Sequence, residues 1–105
     1  MPAHQEINSK SDFESAINSN SGKYVLIYAY ENQIAPRAEE YAEKYKSTTA
    51  PYKVDVTKHD DAKQWLNIST APSAVVYSNG KEVTTVEGMD PSKMQEVAKM
   101  LEKGV

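Results

Sequence analysis

The ionisable side chains cluster most tightly in "KHDDAK", where His59, Asp60 and Asp61 stand in succession. These are metal-ligand types, but consecutive residues at a helix start do not converge on one ion. A helix cap with a favourable acidic first turn accounts for them better, so no metal site is expected. The other histidine, His4, falls in what reads as a mobile tail. Ser, Thr and Tyr are plentiful, yet no nucleophile-elbow motif or recognisable nucleophile–base pairing accompanies them. The sequence contains no cysteine. That removes thiolate nucleophiles, disulfides, Cys-type zinc sites and iron–sulfur ligation. The one sequon, Asn67–Ile68–Ser69, is read as unmodified.

One stretch still has the form of a chemical site. "YENQIAPRAEEY", Tyr30 to Tyr41, reads as a strand end running into a helix, with Ile34, Ala35, Ala38 and Tyr41 at helical spacing. Helix starts stabilise anions through unpaired N–H groups and the positive dipole end. Here, however, the junction carries no Cys, Ser, His or Lys and no glycine-rich loop.

The elements around this junction follow from patterning. "SDFESAINSNSG" predicts a short helix, with Ser11 and Glu14 at capping-box spacing and Phe13, Ala16 and Ile17 on its apolar face. "KYVLIYAY", Lys23 to Tyr30, is continuously apolar and rich in β-branched and aromatic residues, as in a strand buried on both faces. The next helix is expected from about Ile34 to Tyr45, with Glu39, Glu40, Glu43 and Lys44 on its wet side. Pro36 then falls in the first turn, where its missing N–H is not needed. "PYKVDV", Pro51 to Val56, predicts a second central strand, and "DDAKQWLNI" a short helix with Ala62, Trp65 and Leu66 inward. "SAVVYSNGKEVTTVEG" reads as a hairpin closed by Asn79–Gly80 in a type I′ turn. Asp90 caps a last helix with Pro91 in its first turn and a stripe of Met94, Val97, Ala98 and Leu101. "QEI" near Gln5 adds a short edge strand. The result is an α/β domain spanning residues 1–105, with a mixed sheet of four to five strands flanked by four helices.

Composition narrows the class. The 105 residues are 39% hydrophobic and 26% charged, with a net charge of −3. Binding phosphates needs clustered Lys and Arg, whereas the basic residues here alternate with acidic ones. Neither nucleic acid nor an anionic membrane is an expected partner. No apolar run approaches the roughly 20 residues that span a bilayer. "MPAHQEINSK" holds no apolar segment suited to a signal peptide, so a cytoplasmic protein is expected.

With the elements in order, the residues resemble the thioredoxin family over roughly Gln5 to Lys103. The resemblance is carried by "YKVDVTKHDDAKQWLNISTAPSAVVYSNGKEV", "VEGMDPSKM" and "QIAPRAEEYAEKY". It implies a thioredoxin-like fold. It also exposes a departure. The family places Trp-Cys-Gly-Pro-Cys between the "YA" that ends the central strand and the "IAP" of the helix. Here only Tyr30, Glu31, Asn32 and Gln33 separate Tyr28–Ala29 from Ile34–Ala35–Pro36. A loss of about one turn, roughly 3.6 residues, keeps the apolar face of the helix in register. The fold tolerates such a deletion, but dithiol chemistry does not. The family's buried acidic residue in the central strand is matched by Leu26. An apolar residue suits a site whose cysteines are gone, since an unpartnered buried carboxylate is costly.

By the same resemblance, Pro72 is the structural cis-proline before the fourth strand, and Ala71 offers its backbone to an extended peptide. Gly88 and Met89 match a third loop, with Gly88 expected where backbones approach closely and Met89 as an adaptable contact. Together Tyr30, Glu31, Asn32, Gln33, Ala71, Pro72, Gly88 and Met89 form the expected binding groove. The expected function is a redox-inactive binding or scaffold module with no cofactor and a protein or peptide partner. The alternative is a glutathione-binding, enzyme-like domain that activates a thiol through a hydroxyl such as that of Tyr30. The remaining tyrosines and Trp65 are read as core or core-rim packing.

Overall fold

The structure, a computed structural model, describes residues 4–20 and 22–104. Met1 to Ala3, part of the segment weighed as a signal peptide, lie outside the described residues. In chain order the elements are β1 (Gln5–Glu6), α1 (Lys10–Asn18), β2 (Tyr24–Tyr30), α2 (Pro36–Lys44), β3 (Thr49–Asp55), α3 (Ala62–Leu66), β4 (Ser73–Ser78), β5 (Lys81–Glu87) and α4 (Pro91–Lys103). The five strands form one sheet in the order β1-β3-β2-β4-β5. β2 is central, parallel to β3 and antiparallel to β4. Its unbroken apolar run follows from that position, because helices cover both faces.

Alternation along β2 divides the core. Val25, Ile27 and Ala29 face α1 and α3, packing with Phe13, Ala16 and Leu66. Leu26 faces the other way, into a cluster with Tyr45, Val76, Val97 and Leu101. Trp65 packs at the edge of the first cluster, its ring 6.1 Å from that of Phe13. Tyr28, Tyr45 and Tyr77 are buried, while Tyr24, Tyr41 and Tyr52 pack against the two clusters from their rims.

Several local expectations are corrected. The N-cap of α1 is Ser9, whose Oγ accepts from the Asp12 N–H at 3.0 Å, so the Ser11–Glu14 spacing is not the cap. Asp61 precedes α3 but makes no side-chain cap bond. α2 starts at Pro36 rather than Ile34 and runs from Ala35 without a side-chain cap. Asn32 is in the left-handed region (φ 65°), and Ala35, extended before the proline (ψ 139°), holds the helix start to Pro36. The hairpin turn is as read, with positive φ at both Asn79 (53°) and Gly80 (81°). Asp90 caps α4 through Oδ1, which accepts from the Ser92 N–H at 3.0 Å.

The largest correction concerns the N-terminal segment. His4 is buried, and its Nδ1 lies 2.6 Å from Glu39 Oε1. A carboxylate only accepts, so Nδ1 carries the proton and donates. Glu39 is thereby drawn from the wet side of α2, its side chain only 25% exposed.

Candidate functional site

The shortened junction is anchored by β3. Asn32 donates its backbone N–H to Asp55 Oδ1 at 3.4 Å, and the Thr57 N–H reaches the same oxygen at 2.9 Å. Thr57 Oγ1 also lies within hydrogen-bond distance of Asp55 Oδ1 and of Asn32 Oδ1. Burial alone would raise the Asp55 pKa, but the bonds from the Thr57 hydroxyl, the Thr57 N–H and the Asn32 N–H outweigh it and hold the carboxyl below its usual range. Glu31, Asn32 and Gln33 remain exposed. The bridge is thus a pinned loop on the β3 side of the central strand.

Tyr30 turns the same way. It is buried, and its hydroxyl donates to Glu6 Oε2 of β1 at 3.1 Å. Burial, then the negative charge of Glu6, pushes its pKa up to about 12. A hydroxyl committed to Glu6 is not free to donate to a thiol. That removes Tyr30 from the role the glutathione alternative gave it.

Across the sheet the Pro72 loop is built differently. The Ala71–Pro72 bond is cis. Glu87 at the end of β5 accepts from the Ser69 N–H at 2.6 Å and the Thr70 N–H at 3.2 Å. Ser73 Oγ donates to the Thr70 carbonyl at 2.7 Å and accepts from the Gly88 N–H at 3.3 Å. These bonds tie the Pro72 loop to the Gly88 turn. The Ser69 N–H is the main reason the Glu87 carboxyl is held below its ordinary value. Sequence reasoning missed Glu87 because its partners are main-chain N–H groups, which no residue pattern marks. Gly88 is explained by its positive φ of 71° and not by close approach, since a Cβ there would meet nothing within 4 Å.

Pro72 and Met89 line one cavity of about 450 Å³, between α2 and α4 over β2 and β4. Leu26, Ala38, Ala74 and Met94 form much of its wall, and the adjoining rings of His4 and Tyr28 also line it. The cavity therefore includes Leu26, the position matched to the buried acid. Of the eight groove residues, Pro72 and Met89 meet here. Ala71 is half-buried beside them and Gly88 is exposed, while Tyr30 and Asn32 are engaged toward β1 and β3. No group of three or more His, Cys, Asp or Glu side chains among the described residues is placed to hold a metal.

A mixed five-stranded sheet carrying four helices is the thioredoxin-like architecture, and here it has no cysteine to form a dithiol. The chain belongs to the thioredoxin family, whose model matches residues 4–103. Thioredoxin-2 of Saccharomyces cerevisiae is 34% identical over 97 residues, covering 87% of this chain and 91% of that protein. Thioredoxin 1 of Plasmodium falciparum is 30% identical over 95 residues, covering 87% and 90%. Among solved structures, thioredoxin from Malassezia sympodialis superposes with a TM-score of 0.76 at 26% identity, covering 95% of this chain and 91% of that one. Plasmodium falciparum thioredoxin gives 0.77 at 26% identity, with 91% and 97% covered.

Proposed function

We propose that this thioredoxin-family chain is a single-domain, redox-inert module of the cytoplasm that binds a protein or peptide partner and uses no cofactor. Redox inactivity is supported by composition, because disulfide exchange requires a thiolate and the sequence has none. In a thioredoxin-reductase-coupled insulin assay the protein gives background turnover; measurable reduction would overturn this part of the reading. A cytoplasmic setting is consistent with the acidic balance and with described helices too short and polar to cross a membrane.

The binding role rests on one observation. Among the described residues, neither the backbone N–H nor the carbonyl of Ala71 is hydrogen-bonded. Both lie in a loop held rigid by Glu87 and Ser73. An extended peptide satisfies such groups by β-type pairing, which costs little ordering on the protein side. Met89, adaptable in shape, lies beside Pro72 for a peptide side chain. Glu31, Asn32, Gln33 and Gly88 complete the proposed surface, with Tyr30 beneath it. A peptide selected from a random extended library shifts the amide resonances of Ala71, Ser73, Gly88 and Met89 together. Shifts scattered elsewhere, or no selected binder, would remove the groove.

A further inference from the structure

The cavity below Pro72 is walled mostly by apolar groups, yet three side-chain donors in its lining, Tyr28, Arg37 and Gln95, make no hydrogen bond among the described residues. Tyr28 is only 6% exposed, and its hydroxyl makes no hydrogen bond among the described residues. The ring is fixed by stacking on Tyr30, 6.3 Å between centroids, and by contact with His4 at 6.0 Å. The ring is buried but the hydroxyl oxygen reaches solvent, since no buried side-chain N or O among the described residues lacks a partner, so it is open to a ligand in the cavity. Burial also raises the Tyr28 pKa, so the group stays a protonated donor. Arg37, in the first turn of α2, lines the same cavity from an exposed position. It makes no hydrogen bond or ion pair among the described residues.

Among the described residues, Arg37 is the one Lys or Arg in the lining, and no Asp or Glu lines the cavity. His4 is committed to Glu39. Ala35 and Pro91, at the N-terminal ends of α2 and α4, both line the cavity. The N-terminal ends of two helices thus border the cavity, where partial positive charge is tolerant of an anion. Leu26, Ala74 and Met94 in the wall offer no side-chain hydrogen bond to a polar ligand body. A strongly polar molecule would lose hydration there without replacement.

We propose that this cavity binds a small monocarboxylate with an apolar body, an aryl or branched alkyl acid. Arg37 holds the carboxylate with Tyr28 as second donor, and the body lies against Leu26, Ala74 and Met94. A guanidinium is the side chain best matched to a carboxylate, through paired N–H bonds. The site is independent of the peptide reading, which uses the backbone of Ala71; only Pro72 and Met89 belong to both.

The test uses the whole chain and two probes of equal body, 4-phenylbutyrate and 4-phenyl-1-butanol, followed by methyl and amide NMR. The acid is expected to shift Leu26, Ala38, Ala74 and Met94 saturably, with an affinity several-fold above that of the alcohol. Arg37→Gln should erase that preference. Tyr28→Phe should weaken the acid several-fold while leaving the thermal stability of the free protein undiminished, since no bond is lost. Absence of saturable shifts at millimolar acid would overturn the proposal, as would equal binding of acid and alcohol or an Arg37→Gln variant that still prefers the acid. Shifts confined to Ala71 and Gly88 would also overturn it while leaving the peptide reading intact. Conversely, the cavity shifts stand even if no peptide binds.

Discussion

His4 Nδ1 and Glu39 Oε1 lie 2.6 Å apart although 35 positions separate them in the chain. The pair fastens the residue before β1 to the middle of α2, beside the cavity. Burial lowers the His4 pKa, and the hydrogen bond and charge of Glu39 only partly oppose it. Folded His4 therefore binds its proton less readily than the unfolded residue, whose reference value is 6.5.

The pH dependence follows from that sign. The unfolded chain takes up protons first, so stability is full above pH 6.5 and falls as the pH drops through the folded value. Urea midpoints measured from pH 7.5 to 5 should decline. His4→Phe should flatten that part of the profile, and an unchanged slope would refute the assignment. His4→Ala should cost about 1–3 kcal/mol at neutral pH by removing its charge-assisted hydrogen bond to Glu39.

At Asn32 the prediction concerns backbone conformation. Its φ of 65° is one that asparagine and glycine accept and β-branched residues do not. Asn32→Val should lose roughly 1–2 kcal/mol in chemical denaturation, whereas Asn32→Gly should be close to neutral. Equal losses in the two variants would show that the side-chain contact to Thr57, and not φ, selects asparagine.

Asp55 should dominate a second, more acidic step. Its carboxyl is held below its reference value of 3.8 by the bonds from Thr57 and Asn32, so the stability it contributes is present above that pH and lost below it. Asp55→Asn should remove this acidic step from the unfolding profile. It should also speed amide exchange at Asn32 and Thr57; unchanged exchange at both would contradict the anchoring role.

Glu87→Gln should loosen the Pro72 loop without unfolding the sheet. Faster amide exchange at Ser69 and Thr70 is the expected readout, with the β2 and β4 amides unaffected. A uniform acceleration across the sheet would mean that Glu87 supports global stability instead.

Leu26→Asp tests whether the central strand still tolerates a buried acid. The side chain is 3% exposed in an apolar cluster. An unpaired carboxylate there should cost roughly 3 kcal/mol at pH 7, with part of the loss recovered as the pH falls and the group protonates. A variant as stable as the parent would show that the cavity hydrates the new charge.

The order of elements, the two-faced burial of β2, the Asn79–Gly80 turn and the absence of thiol chemistry were all legible in sequence. Each rests on local patterning: periodicity, turn residues, or the lack of a residue type. The starts of α1 and α2 were less legible, because caps and left-handed residues compete over a few positions. Three features had no local signal at all. His4 with Glu39, Asn32 with Asp55, and Glu87 with the Ser69 and Thr70 amides join segments that only the sheet order and helix packing bring together. The cavity is of the same kind. Leu26 drew attention only as the counterpart of a buried acid, Tyr28 and Arg37 gave no sign of a site, and the apolar space with its unused donors is formed where α2 and α4 stand apart over β2. The sequence by itself determined which chemistry was impossible, since that depends on composition. Which groups remain available to a ligand was decided by tertiary structure, because a donor is free or satisfied only by what folding places beside it.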